Sequence, residues 1–76
     1  MVGFKEIDLD SELAKALAMQ LLAGVEGKEL ELVEVEEAAE LSFEEEGAIY
    51  FITVLAKDSA GNGVVVSGEI MVGDDG

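Results

Sequence analysis

The sequence contains no cysteine, histidine, proline, tryptophan or arginine among its 76 residues. Without cysteine, the chain has no disulfide framework, no thiolate nucleophile and no cysteine metal ligand. Without histidine, it also lacks the commonest metal ligand and the side chain that most often acts as a general base near neutral pH. We therefore expect a non-enzymatic protein without a cofactor, and the redox compartment is left open.

Positive charge is scarce as well. Four lysines stand against 18 acidic residues, which gives a formal net charge of -14 on a chain of 8.0 kDa. Nucleic acid and anionic membranes are poor candidates as partners, because binding to phosphates depends on Lys and Arg. So much negative charge favours solubility, and the alternative interpretation is a basic partner or a bound cation.

The chain is short, and we expect residues 1–76 to form a single domain. Hydrophobic residues make up 50% of the sequence, which excludes a disordered acidic tail. No apolar run approaches the roughly 20 residues that span a bilayer, and no signal peptide is recognisable at the N-terminus. We expect a soluble chain that stays where it is made, in the cytoplasm after recombinant expression; its natural compartment is left open.

The first regular element is an amphipathic helix from Leu9 to about Ala23. Its apolar residues recur every three to four positions, at Leu13, Leu17, Leu21, Ala14, Ala18, Leu22 and Val25. Asp8, Asp10 and Ser11 are candidate N-caps, and Gly24 and Gly27 are expected to adopt left-handed conformations at the other end.

After Gly27 the apolar pattern changes to period two, which is typical of strands. The pattern from Leu30 to Glu40 switches parity between Leu32 and Val33, so a β-bulge or a strong bend is expected there. The segment from Ala48 to Lys57 is apolar on both faces and should be a central strand. A turn rich in Asp, Asn and Gly, residues 58–63, leads to a strand from Val64 to Val72.

These elements predict an α+β fold in which one N-terminal helix packs across an antiparallel sheet of three long strands. The segment VGFKEID before the helix is predicted to be an extended arm or a short N-terminal strand. The predicted helix-facing residues are Tyr50, Ile52, Val54, Ala56, Val66, Ile70 and Val72. The opposite face carries Ile49, Phe51, Thr53, Leu55 and Met71. That apolar face is expected to be covered by curvature, by Phe43, or by weak self-association through Ile49, Phe51, Leu55 and Met71.

The order of elements and several stretches resemble the cystatin family, above all the plant cystatins. GFKEIDLDSELAKALAMQLL resembles the cystatin arm and helix, and LAKALAMQ lies where plant cystatins carry a Leu-Ala-Arg-Phe-Ala-Val type of motif. LELVEVEEAAE, GAIYFITVLAKDSAG and GVVVSGEIMV resemble the strands that follow. The resemblance covers nearly the whole chain and implies inhibition of papain-like cysteine proteases by a three-part wedge.

Each part of that wedge has a counterpart position in this sequence. Gly3 matches the glycine of the N-terminal arm. The second part, a hairpin tip of pattern Gln-x-Val-x-Gly, aligns its glycine with Gly47, but Phe43 then takes the Gln position and Glu45 the Val position, with Glu44 and Glu46 between. Counting forward from Glu40 instead puts the Gln position at Leu41 and leaves the loop two residues too long. The third part, a Pro-Trp pair, falls on Asp74 and Asp75, and the final strand of the family is missing.

The acidic residues at these tips argue against the protease inhibition that the resemblance implies. Insertion into a protease cleft would desolvate carboxylates, at a cost of several kcal/mol each when they lack a partner. The five missing residue types and the acidic tips together favour an artificial sequence selected for stable folding, with no native activity and no required partner. Cysteine protease inhibition is the alternative.

Two further acidic motifs suggest cations. Asp58, Asn62, Gly63 and Glu69 occupy positions one, five, six and twelve of a calcium-binding EF-hand loop, but Ala60 stands where position three needs an oxygen ligand. Strands are also predicted on both sides, where an EF-hand has helices. The triple glutamate from Glu44 to Glu46 suits weak adventitious calcium binding at most, since neighbouring strand residues point to opposite faces. We predict no metal site, with Asp58, Asn62 and Glu69 as weak candidates.

Overall fold

The computed structural model describes residues 2–27, 29–43 and 47–73, and it contains one helix and four strands in this part of the chain. Strand β1 (Val2–Glu6) precedes helix α1 (Glu12–Ala23), which is followed by β2 (Glu31–Phe43), β3 (Gly47–Lys57) and β4 (Gly63–Val72). The strands form one antiparallel sheet in the order β1-β2-β3-β4. The predicted α+β class is confirmed, and the N-terminal segment forms a strand.

Helix α1 begins after a local turn stabilised by Asp8 and Ser11. The Asp8 carbonyl accepts the Ser11 hydroxyl at 2.6 Å, and the Ser11 side chain accepts the Ala14 amide at 3.2 Å, which makes Ser11 the N-cap. The helix therefore starts three residues after Leu9. At its other end, Gly27 has the expected positive φ of 81°, but the expectation for Gly24 is wrong because its φ is -84°.

Strand β2 pairs with β3 through two irregularities. The register shifts between Leu32 and Glu34, which confirms the predicted bulge, and again between Val35 and Glu37. Each bulge adds one residue to β2 that has no partner on β3, and it increases the local twist of the strand. After each bulge, the alternation of side chains between the two sheet faces continues shifted by one residue. Strand β3 lies between β2 and β4, as its apolar sequence on both faces predicted.

The core forms where α1 packs on β2, β3 and β4. Its buried side chains are all apolar: Ile7, Ala14, Leu17, Ala18, Leu22, Ala38, Ile52, Val54, Ala56 and Ile70. Tyr50 and Val66 pack against them, as predicted. Gly68 lies on the same face, where a Cβ atom would come within 2.6 Å of Leu21 Cδ1, so the missing side chain lets the helix approach β4 closely. Across the residues described, no helix is long and apolar enough to cross a membrane.

The sheet is much longer than the helix that covers it. Twelve helical residues extend about 18 Å, whereas the 13 residues of β2 extend about 43 Å. Val72 lies on the helix-facing side of the sheet, as predicted, but the helix does not bury it, because this residue is 48% exposed at the end of β4. Leu13 is likewise 45% exposed.

The second face of the sheet is the face without the helix, and we call it the open face. Directly paired residues of antiparallel strands share a face, so the register assigns its apolar members: Phe4, Ala39, Leu41, Phe43, Ile49, Phe51, Leu55, Val65 and Met71. This confirms the predicted positions of Ile49, Phe51, Thr53, Leu55 and Met71. Phe43 also lies on the open face. Phe51 is nevertheless 36% exposed, so no described residue covers Phe51 fully.

Candidate functional site

The first candidate site is the end of the sheet where three chain segments meet. Gly3 pairs with Ser42, Phe43 pairs with Gly47, and Ala48 pairs with Val72. We call this region the hairpin end. The register thus brings the start of β1, the base of the β2–β3 hairpin and the last residues of β4 together. The other wedge positions, Glu44, Glu45, Glu46, Asp74 and Asp75, lie outside the described residues.

Gly3 is held within the sheet at the hairpin end. Its carbonyl accepts a hydrogen bond from the Ser42 hydroxyl at 3.3 Å. A Cβ atom added to Gly3 would lie 3.1 Å from Ser42 Oγ. Val2 on one side and Phe4 on the other also pair with β2. The N-terminal segment is therefore an ordered edge strand around this glycine.

Gly47 is required at the hairpin end for two independent reasons. Its φ of 99° lies in the region that side chains other than hydrogen disfavour. A Cβ atom would also collide with the carbonyl oxygen of Val72 and lie 3.0 Å from Gly73 Cα. A side chain at position 47 would therefore overlap the backbone at the end of β4.

A pair of titratable residues lies within the sheet, near the hairpin end. Glu40 and Tyr50 face each other across β2 and β3. A side-chain hydrogen bond to Glu40, together with partial desolvation and the charge of the carboxylate, raises the pKa of Tyr50 above its usual value near 10.0. The sequence alone does not reveal this pair, because the pairing depends on the register that the β2–β3 hairpin sets.

The candidate cation ligands are not brought together. The Asp58 carboxylate accepts the amides of Ala60 at 3.0 Å and Asn62 at 2.9 Å, which is the hydrogen bonding of an Asx turn. Glu69 pairs with Phe51, six residues from Lys57 along β3, so it lies about 20 Å from the turn. Among the residues that the structure describes, no group of three or more His, Cys, Asp or Glu side chains is placed to hold a metal ion.

The second candidate site is the open face. It contains a depression of ≈ 650 Å³ whose lining includes Phe4, Phe51, Glu6, Glu37 and Glu69. Next to these residues, the hydroxyls of Thr53 and Ser67 form a hydrogen bond of 2.9 Å across β3 and β4. The sequence predicted the apolar residues of β3 and β4 on this face. It did not indicate that glutamates from β1 and β4 would border them, since these strands lie at opposite ends of the chain.

Comparisons with known proteins add no relative to this description: no protein-family model, no curated protein and no solved structure matches the chain.

Proposed function

We propose that this chain is a non-enzymatic, cystatin-like folding scaffold of artificial origin, whose property is stable folding and which requires no partner. The observation that carries the proposal is the distribution of polar groups. Every buried residue in the described ranges is apolar, and every described residue with positive φ is a glycine. Such consistency between side-chain type, backbone conformation and burial is expected of a sequence selected for folding alone.

The use of the hydroxyl groups supports the same proposal. Ser11 caps the helix, Ser42 bonds the carbonyl of Gly3, and Thr53 and Ser67 bond each other across two strands. In the described part of the chain, no buried side-chain polar atom lacks a hydrogen-bond partner. Polar groups that each have a local structural role contribute to stability.

Unfolding and protease assays together test the scaffold proposal. We expect a single cooperative unfolding transition in urea that coincides for circular dichroism and tyrosine fluorescence. We also expect no inhibition of papain at submicromolar concentrations of the folded chain. Submicromolar inhibition would overturn the proposal. Transitions that do not coincide would show that the chain does not unfold in one cooperative step, and this would contradict the proposal as well.

Cysteine protease inhibition is the second candidate, and the hairpin end is the observation that favours it. Gly3, the Phe43–Gly47 pair and Val72 meet at one end of the sheet, which is the arrangement that a three-part wedge needs. The charges at the neighbouring tips oppose it, because carboxylates without partners are costly to bury in a protease cleft.

A variant of the hairpin separates the two candidates. The double substitution Phe43→Gln and Glu45→Val restores the pattern Gln-x-Val-x-Gly over residues 43–47. If the scaffold can present a wedge and only the tip is wrong, this variant gains papain inhibition while the parent chain shows none. Equal inhibition by both chains would favour the inhibitor candidate directly. The control Phe43→Gln alone, which leaves Glu45 in place, is expected to stay inactive.

A further inference from the structure

The open face combines an apolar centre with acidic borders. One row of paired residues across all four strands is apolar: Phe4, Leu41, Ile49 and Met71. The adjacent row has glutamates on both edge strands and apolar residues between them: Glu6, Ala39, Phe51 and Glu69. A ligand on this face would therefore contact apolar side chains in the middle and carboxylates on either side.

The apolar residues at the edges of this face are strongly exposed. Phe4 is 68% exposed on β1, and Met71 is 78% exposed on β4. Val65, farther along β4, is 62% exposed. Contiguous exposed apolar surface with a polar border is the usual character of an interaction site in a soluble protein.

Charge decides which partner suits the face. A second copy of the chain would bring another net charge of -14, and its own open face would also carry Glu6, Glu37 and Glu69. Like charges held close across an interface are repulsive, and this disfavours stacking two open faces. A partner with positive charge on both sides of an apolar stripe is complementary instead.

The dimensions of the sheet favour a helix in that role. The edge strands β1 and β4 are separated by three strand spacings, about 14 Å in all. A helix has a diameter of about 10 Å, so it fits between Glu6 and Glu69 when it lies along the strands. Lysine or arginine side chains on its flanks can reach those carboxylates while their methylene groups cover Phe4 and Met71.

We propose that the open face binds a basic amphipathic helix from another protein. Leucine-like side chains at helical spacing contact the apolar row and Phe51, and flanking Lys or Arg side chains pair with Glu6 and Glu69. The bound helix completes a three-layer arrangement of helix, sheet and helix, in which both sheet faces are covered. This inference concerns what the surface can bind, and it does not rest on the artificial origin proposed above.

A pair of synthetic peptides tests the proposal by calorimetry and NMR at physiological salt. The probe is an amidated Leu/Lys peptide of helical length with leucines at i, i+3, i+4 and i+7, and its control is a scrambled peptide of the same composition. We expect saturable binding of the probe, with shift changes concentrated at Phe51, Thr53 and Ser67. The scrambled peptide has the same charge but no apolar stripe, and is expected to bind at least about tenfold more weakly.

Two variants of the chain complete the test, and both alter exposed acids. Glu6→Gln with Glu69→Gln removes the two carboxylates at the edges of the open face and is expected to weaken probe binding about tenfold, as the loss of two surface ion pairs implies. The matched pair Glu12→Gln with Glu26→Gln has the same net charge and is expected to bind within about twofold of the parent. Circular dichroism checks that both variants fold.

Three results would overturn the proposal. Equal binding of the probe and the scrambled peptide would mean attraction to net charge alone. Equal weakening by the two variant pairs would mean that the open face is not the site. Concentration-dependent dimerisation of the free chain, lost on Met71→Lys, would show that a second copy covers the face instead.

Discussion

At the scale of single residues, the hairpin end depends on a position with no side chain. Gly47 combines a positive φ with a backbone contact to Val72, so any Cβ there meets two separate penalties. Gly27 also has a positive φ, but nothing lies within 4 Å of the place a Cβ would occupy. A side chain at Gly27 would therefore cause conformational strain alone, whereas a side chain at Gly47 would cause both strain and steric overlap.

Substituting alanine at these glycines should show that difference. Gly27→Ala is expected to lower the free energy of unfolding by about 1 kcal/mol, the cost of a left-handed residue. Gly47→Ala adds overlap with the chain at Val72 and is expected to cost about 2–4 kcal/mol in total. Urea unfolding of both variants measures the two values, and equal losses would contradict the close approach of the two backbones.

Tyr50 gives stability a dependence on pH at the alkaline end. Its raised pKa means that the folded state keeps the phenol proton at pH values where the unfolded chain has lost it. This stabilisation is complete below the unfolded pKa of about 10 and is lost as pH rises through the higher folded pKa. The wild-type chain should therefore lose stability over this range relative to Tyr50→Phe.

The comparison with Tyr50→Phe removes the contribution of the lysines, which titrate in the same range in both chains. Tyr50 is the single tyrosine of the sequence, so tyrosinate absorbance follows this group alone. We expect the absorbance midpoint of the folded chain to lie above that of the chain in urea. Coincident midpoints, or parallel stability curves for the two proteins, would argue against the bond to Glu40.

At the scale of elements, the contact between α1 and β4 is set by Gly68. Gly68→Ala would bring Cβ to 2.6 Å from Leu21 Cδ1, which forces the leucine to move. We expect a loss of about 1–2 kcal/mol in the free energy of unfolding. Gly63→Ala on the same strand is the matched control, since its Cβ would lie at an ordinary 3.6 Å from Leu55. A larger loss for Gly63→Ala would reverse this assignment.

The elements differ in how far the sequence predicts them. The helix, the turn at Asp58 and the bulge at Leu32 follow from signals within a few residues, and they were predicted. The second bulge lies at two consecutive glutamates, Glu36 and Glu37, and it was not predicted from the sequence. The exposure of Leu13 was missed because helical spacing defines a stripe but not its width against a particular sheet.

The two candidate sites show the same limit. Each joins segments that are distant in the chain: Gly3 with Ser42 at the hairpin end, and Glu6 with Glu69 across the open face. Such neighbours follow only from the complete strand register, and one slip of a residue would move every side chain to the other face. The resemblance to cystatins predicted the wedge positions but could not indicate the acidic borders of the open face.

At the scale of the whole molecule, the main electrostatic feature is the excess of negative charge. A net charge of -14 on 76 residues repels itself most strongly in the compact state. Added salt screens this repulsion over about 10 Å at 0.1 M ionic strength. We therefore expect the melting temperature to rise as sodium chloride is added to a low-salt buffer.

A variant with fewer charges provides the control for that expectation. Glu26, Glu29, Glu31 and Glu36 are exposed, and their replacement by glutamine changes the net charge from -14 to -10. The variant should show a smaller rise in melting temperature with salt and a higher value at low salt. An identical salt dependence of the two chains would mean that self-repulsion does not limit stability.

The sheet extends beyond the helix, and this affects how different parts of the molecule open. Backbone hydrogen bonds around Ser42, Ala48 and Val72 lie away from the helix-covered core, whereas Ile52 and Val54 lie under α1. Amide hydrogens at the hairpin end should exchange with solvent through small openings that urea hardly promotes. Those of Ile52 and Val54 should exchange only when the whole domain unfolds, so deuterium uptake would divide one continuous sheet into two dynamic halves.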